Sequence, residues 1–192
     1  PEEAACLSPN TVEQRRREFA AGRAAARAAM ADLGLPAHPI PVGPKRAPVW
    51  PAGVTGSITH TRSCAAAVAA LAGEDLRALG IDVEEDTPLE DKLLPSICSP
   101  REQNWLNQQE NPGRLAKVIF SAKEAAYKCQ YVLSARFFGF DGMELQLDTA
   151  RGQFLAEFTS DQPPFAKGAG IAGRFAIGDG LIVTAAELRA GG

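Results

Sequence analysis

The sequence is poor in the residues that build metal fingers, disulfide frameworks and membrane spans. Its 192 residues hold two histidines and four cysteines, and no two of Cys6, Cys64, Cys98 and Cys129 form a C-x-x-C pair. This excludes the usual structural zinc patterns and favours thiols in a reducing compartment. No apolar run is long enough to span a bilayer. The N-terminal residues lack the basic-then-apolar order of a signal peptide. Positive charge is not in excess either: the formal net charge is -3, so bulk electrostatics give nucleic acid no support as a partner. A cytoplasmic protein is expected, without membrane or nucleic acid among its partners. What remains is ordinary for a globular chain, 45% hydrophobic and 22% charged, and long enough to bury a core in one domain or two small lobes.

The spacing of apolar residues predicts a helix from about Val12 to Leu33, capped by Asn10 or Thr11 and ended by Gly34 and Pro36. Pro36 to Pro51 is proline-rich and reads as an ordered loop. Strands are expected at Gly56–Thr61, Ala65–Ala72 and Leu79–Glu84, with a turn over Gly73 to Asp75. The chain turns polar and proline-broken near Asp86–Pro100, which sets the expected lobe boundary: 1–95 and 96–192. A short helix at Pro100–Gln109, a long one at Arg114–Val132 and four strands follow: Met143–Leu147, Phe154–Phe158, Gly170–Ala176 and Leu181–Leu188. Gly178-Asp179-Gly180 reads as the hairpin turn between the last two.

Four segments carry chemistry. In Gly80-Ile81-Asp82-Val83-Glu84 a strand would turn Ile81 and Val83 to the core and set Asp82 and Glu84 together on the other face. Paired carboxylates repel unless a cation separates them, and a hard divalent ion suits them. Alone, the same pentapeptide also fits an edge strand with solvated acids. In the long helix, Lys117, Ser121, Glu124 and Lys128 share one flank, beside a buried face of Leu115, Val118, Ala122, Ala125 and Cys129. Lys123 and Tyr127 project elsewhere. Gly56-Ser57-Ile58-Thr59-His60 offers close backbone approach and two polar side chains. The proline-stiffened loop presents Lys45 and Arg46, suited to phosphate. The first helix adds Arg15, Arg16, Arg17, Arg23 and Arg27, which also fit a solvated basic face.

Together and in this order, these segments resemble the 4'-phosphopantetheinyl transferases of the two-lobed kind serving siderophore, polyketide and nonribosomal peptide synthesis. The resemblance runs through Arg15–Phe19, Gly22-Arg23, Lys45–Pro51, Gly56–His60, Gly80–Glu84, Phe120–Lys128 and Arg136–Phe140. It implies an α+β fold of two similar lobes related by a pseudo-twofold, with the active site between them. It implies transfer of 4'-phosphopantetheine from coenzyme A to a serine of an apo acyl or peptidyl carrier protein, releasing 3',5'-ADP. Asp82, Glu84 and Glu124 match the acids that hold magnesium, with manganese as an alternative. Lys128 matches the lysine near the reacting phosphate, and these four form the expected catalytic set. Arg15, Arg23, Lys45, Arg46, Thr59, His60, Lys123 and Lys128 match positions that contact coenzyme A. Glu124 is a candidate base for the serine proton. Phe137–Phe140 and Asp86–Gln109 are candidate carrier-docking segments. Duplication within one chain leads to an expected monomer. The stretch before the first helix is shorter than expected for this kind, which would begin with a strand. A magnesium-dependent phosphohydrolase of a nucleotide diphosphate such as coenzyme A, or a non-catalytic coenzyme A- or carrier-binding module, would use many of the same residues.

Overall fold

The computed structural model of the protein describes residue 3, residues 6–8, residues 10–73 and residues 75–189. Its first long element is helix α1, Glu13–Asp32. The Val12 N-cap carries no side-chain bond, so neither Asn10 nor Thr11 caps the helix as expected. Instead the Arg16 side chain folds back and donates to the Thr11 carbonyl at 2.9 Å. The C-terminal end does follow the sequence. Gly34 takes a φ of +72°, its N–H reaches the Ala31 carbonyl and the Leu35 N–H reaches Met30, which together satisfy the last carbonyls.

Strands β1 (Val54–His60) and β2 (Ala65–Leu71) form an antiparallel hairpin. α1 packs on it, closely enough at Gly22 that a Cβ there would come within 2.9 Å of Ile58. The core of this unit is small: Ala26, Met30 and Ile40 are fully buried, with Trp50, Ile58 and Leu35 packed around them.

β3 (Leu76–Glu85) opens a larger sheet with β4 (Met143–Asp148), β5 (Gln153–Phe158), β6 (Gly170–Gly178) and β7 (Leu181–Arg189). The strand order is β3-β7-β6-β5-β4, with every neighbour antiparallel. The β6–β7 turn has φ of +51° at Asp179 and +75° at Gly180, the pair of left-handed residues a two-residue hairpin favours. Short helices α2 (Leu94–Ile97) and α3 (Pro100–Leu106) lead into the long helix α4, Pro112–Ser134. Helix α4 lies across the sheet, and its Ile119, Ala122, Ala125, Ala126 and Cys129 join Phe154, Phe158, Ile171 and Leu188 in the main core.

The architecture is α+β. Each half contributes a long helix, yet the sheets do not respect the boundary expected at residues 95 and 96: β3 is laddered to β7. A strand's partner a hundred residues away leaves no mark in its local pattern. Glu74, within the expected Gly73–Asp75 turn, lies outside the described residues.

Candidate active site

The site begins with a glycine. A Cβ on Gly80 would lie 1.9 Å from the Ala125 carbonyl oxygen, so only glycine lets β3 press directly against α4. That approach carries the same strand face, two and four residues on, to the flank of the helix. Asp82 therefore accepts a hydrogen bond from the Ser121 hydroxyl at 2.9 Å and from the Lys128 ammonium at 2.7 Å. Glu84 accepts from Lys117 at 3.3 Å. Asp82 and Glu84 share one face as expected, but it is the helix-facing side. Ile81 and Val83 are buried on the opposite face, outside the main apolar cluster, because they pair with Ala185 and Val183 on the outward side of β7.

Three carboxylates and two ammonium groups thus gather along one helix edge. Lys117, Ser121, Glu124 and Lys128 follow each other at helical spacing. Burial, then the charge of Asp82, pushes the Glu84 carboxyl above its usual range, against the pull of Lys117 and Lys128. Burial also raises Glu124; Lys128 opposes this, while Asp82 and Glu84 add to it. The Glu124 side chain makes no hydrogen bond among the described residues. Asp82 is further held by the Thr59 hydroxyl at 3.0 Å, and that same oxygen accepts from the Val83 N–H. The first unit is thereby tied to β3 at the acid itself.

Two cavities flank this cluster. The larger, about 550 Å³, lies between α1, the proline-rich loop, β1 and the Asp82–Lys128 pair. Arg15, Arg23, Arg46, Thr59 and His60 line it, so these expected residues do come together. Arg15 Nη1 is 2.8 Å from His60 Nε2. Burial and then the Arg15 charge hold the His60 pKa below its ordinary value, which keeps the imidazole neutral so that it can accept from Arg15. Arg23 is nearly buried, stacks its guanidinium 4.5 Å over Phe19, and leaves its Nε without a partner among the described residues. Burial pulls its pKa down, while Glu3 and Cys6 oppose that. A buried donor of this kind fits an anionic ligand.

The smaller cavity, about 190 Å³, is walled by Tyr127, Phe137, Phe138, Phe140 and Met143, with Glu124 at its edge. Glu124 and Asp82 thus stand on either side of the boundary between a polar and an aromatic chamber.

Two of the residues expected to contact coenzyme A lie outside the larger cavity. Lys45, at a φ of +52°, does not line the larger cavity; its ammonium sits 5.8 Å over the Phe137 ring. The neighbouring Arg46, itself exposed, lines the cavity instead. Lys123 is 3% exposed and donates to the Ile97 carbonyl at 2.8 Å, Glu102 at 2.9 Å and the Phe140 carbonyl at 3.0 Å. All three of its donors are used, so it braces the aromatic wall instead of holding a ligand. Its partner Glu102 completes a capping box with Ser99. The Ser99-x-x-Glu102 spacing was the available signal for that pair. Ser121 and Lys117 were visible only as members of the helix flank.

Among the described residues no three His, Cys, Asp or Glu side chains are gathered tightly enough to hold a metal ion. In this conformation the cations on Asp82 and Glu84 are lysines. The donor set nevertheless fits a hard divalent ion, because it offers carboxylate oxygens from three side chains whose mutual repulsion a cation would relieve, with Glu124 raised first by burial and then by Asp82 and Glu84.

Comparisons with known proteins agree with the geometry. Residues 2–70 match the family model of the 4'-phosphopantetheinyl transferase N-terminal domain. Residues 78–182 match that of the 4'-phosphopantetheinyl transferase superfamily. The chain is 39% identical over 195 residues to the 4'-phosphopantetheinyl transferase Svp of Streptomyces mobaraensis, covering 99% of this chain and 78% of that protein. It is 36% identical over 189 residues to Npt of Nocardia iowensis, covering 93% and 85%. To PptT of Mycobacterium tuberculosis it is 34% identical over 201 residues, covering 98% and 85%. With both halves matched, and near full-length similarity to three transferases, the chain belongs to the 4'-phosphopantetheinyl transferase superfamily and is an enzyme of that kind.

Proposed function

We propose that Asp82, Glu84 and Glu124 hold a divalent cation, magnesium or alternatively manganese, and that the 550 Å³ cavity beside them takes coenzyme A with its diphosphate toward Lys128. The reaction joins the phosphopantetheine group of coenzyme A to a serine of an apo acyl or peptidyl carrier protein. The serine oxygen forms a bond to the β-phosphorus, the bond from that phosphorus to the leaving oxygen breaks, and 3',5'-ADP departs. The observation that carries this reading is the meeting of Asp82 from β3 with Ser121 and Lys128 of α4 at the cavity wall.

A cation bound there would supply a Lewis acid and counter-charge to the phosphoryl oxygens. The remaining work falls to side chains. Lys128 neutralises charge on the reacting phosphate and its leaving group. Arg15, Arg23 and Arg46 bind the other phosphates, and Thr59 and His60 orient the substrate. Glu124 has no hydrogen-bond partner among the described residues and a raised pKa. It is the carboxylate best placed to take the serine proton, directly or through a water.

We place the reaction in the cytoplasm and the active unit as a monomer. Free thiols at Cys64, Cys98 and Cys129 support the first; a cavity lined from both halves of one chain supports the second. No helix among the described residues is long and apolar enough to cross a membrane. Incubation with coenzyme A, magnesium and a panel of apo carrier proteins, followed by mass measurement, tests the proposal. The expected product is a carrier heavier by one phosphopantetheine. A hydrolase would leave every carrier unmodified and free phosphopantetheine in solution.

A further inference from the structure

We propose that Lys117 is an internal counter-cation that competes with the divalent ion for Glu84 and so sets how tightly the site holds it. The inference rests on the reading that Asp82, Glu84 and Glu124 hold that ion. Lys117 lies one helical turn before Ser121 on the flank of α4. Its ammonium is 3.3 Å from Glu84 Oε2, and its side chain is 16% exposed against 25% for Glu84. It also lies 5.8 Å from the centroid of the Phe120 ring, an aromatic face that favours a cation there. Neither the larger nor the smaller cavity includes it, so it is placed to act on the acid and not on the substrate.

Charge balance gives the device its logic. Asp82, Glu84 and Glu124 carry three negative charges, and Lys117 and Lys128 carry two positive ones. The cluster is then only one charge negative, a weak attractant for a lone divalent ion. A divalent ion added to it leaves one positive charge, which a diphosphate satisfies. Lys128 faces the substrate cavity, whereas Lys117 hydrogen-bonds Glu84, with the exposed Glu90 also within its electrostatic reach. Removing the Lys117 charge should therefore leave a more negative cage that binds metal without help from substrate. Lys117 makes tight metal binding depend on the arrival of coenzyme A.

The test is manganese binding to the full chain without coenzyme A, followed by electron paramagnetic resonance of free Mn2+. Lys117→Met and Lys117→Gln should bind Mn2+ about tenfold more tightly than the natural sequence, as loss of one half-screened charge at this distance implies. Lys117→Arg should restore the natural affinity. Asp82→Asn, run alongside, should weaken binding. If Asp82→Asn weakens binding while both neutral Lys117 variants bind no more tightly than the natural chain, the counter-cation role is wrong and the metal site stands. If Asp82→Asn leaves the affinity unchanged, the metal site is wrong and the role of Lys117 falls with it.

Discussion

The two halves of the molecule hold their functional side chains in different ways. In the first, α1 and the β1–β2 hairpin enclose a small core around Ala26, Met30 and Ile40, and the site residues are long side chains reaching into a cavity. In the second, α4 is pressed on a five-stranded sheet over a broad apolar cluster. Several of its site residues are locked by one another: Ser121 is bonded to both Asp82 and Thr184, and Lys128 to Asp82. On the proposed reading, substrate capture falls to the half with the small core and the acid–lysine chemistry to the half with the broad one. Groups that stabilise a transition state lose their value if they must move to meet it.

The sharpest way to break this contrast is at Asp82, where the halves join. Asp82→Ala should lower transfer to a carrier protein by about 10³-fold or more, measured by mass, because it removes a proposed metal ligand and the anchor of Lys128 and Thr59. Near-natural activity would separate the chemistry from β3. Next in size is Gly80→Ala. A Cβ 1.9 Å from the Ala125 carbonyl must push α4 off β3, at a cost of about 3 kcal/mol. The melting temperature and activity should fall together; unchanged stability would mean that the helix rides less closely than described.

Arg23→Met should act on the first half alone. It should raise KM for coenzyme A roughly tenfold, as loss of one charge-assisted phosphate bond implies, with kcat little changed. Stability should hold or rise, since a buried guanidinium with an unpartnered Nε is removed. A fall in kcat without a change in KM would place Arg23 in the chemistry instead. The smallest effect concerns reactivity. Burial pushes the Cys98 and Cys129 thiols up to about 12, so at pH 8 they are protonated as well as enclosed. Neither should be alkylated in the native protein, and both should react once it is unfolded. Rapid native labelling of Cys129 would show that the α4–sheet core opens.

Much of this was legible in the sequence. Helical spacing located α1 and α4, and alternation with glycine turns located the strands of the second sheet. Gly34 and Asp179-Gly180 announced their left-handed conformations. The paired acids and the Lys117–Lys128 flank were visible as patterns, though not as partners. What was hidden depends on distant packing. No local signal says that β3 pairs with β7, or that Gly80 is needed because a helix forty-five residues later lies on it. Lys123 was expected to contact coenzyme A because it matches a second lysine of the family motif. Only the fold shows that Glu102, Ile97 and Phe140 use all its donors. The loop conformation likewise decides that Arg46, and not Lys45, lines the cavity.

The proposed chemistry requires two distant stretches of chain to serve one ion. Crystals grown with coenzyme A and soaked in Mn2+ would report this through anomalous scattering. The expected result is one manganese peak enclosed by the carboxylates of Asp82, Glu84 and Glu124 and by the diphosphate, with the Lys117 ammonium displaced from Glu84. A peak bound by the diphosphate alone, with those acids still paired to Lys117 and Lys128, would contradict it.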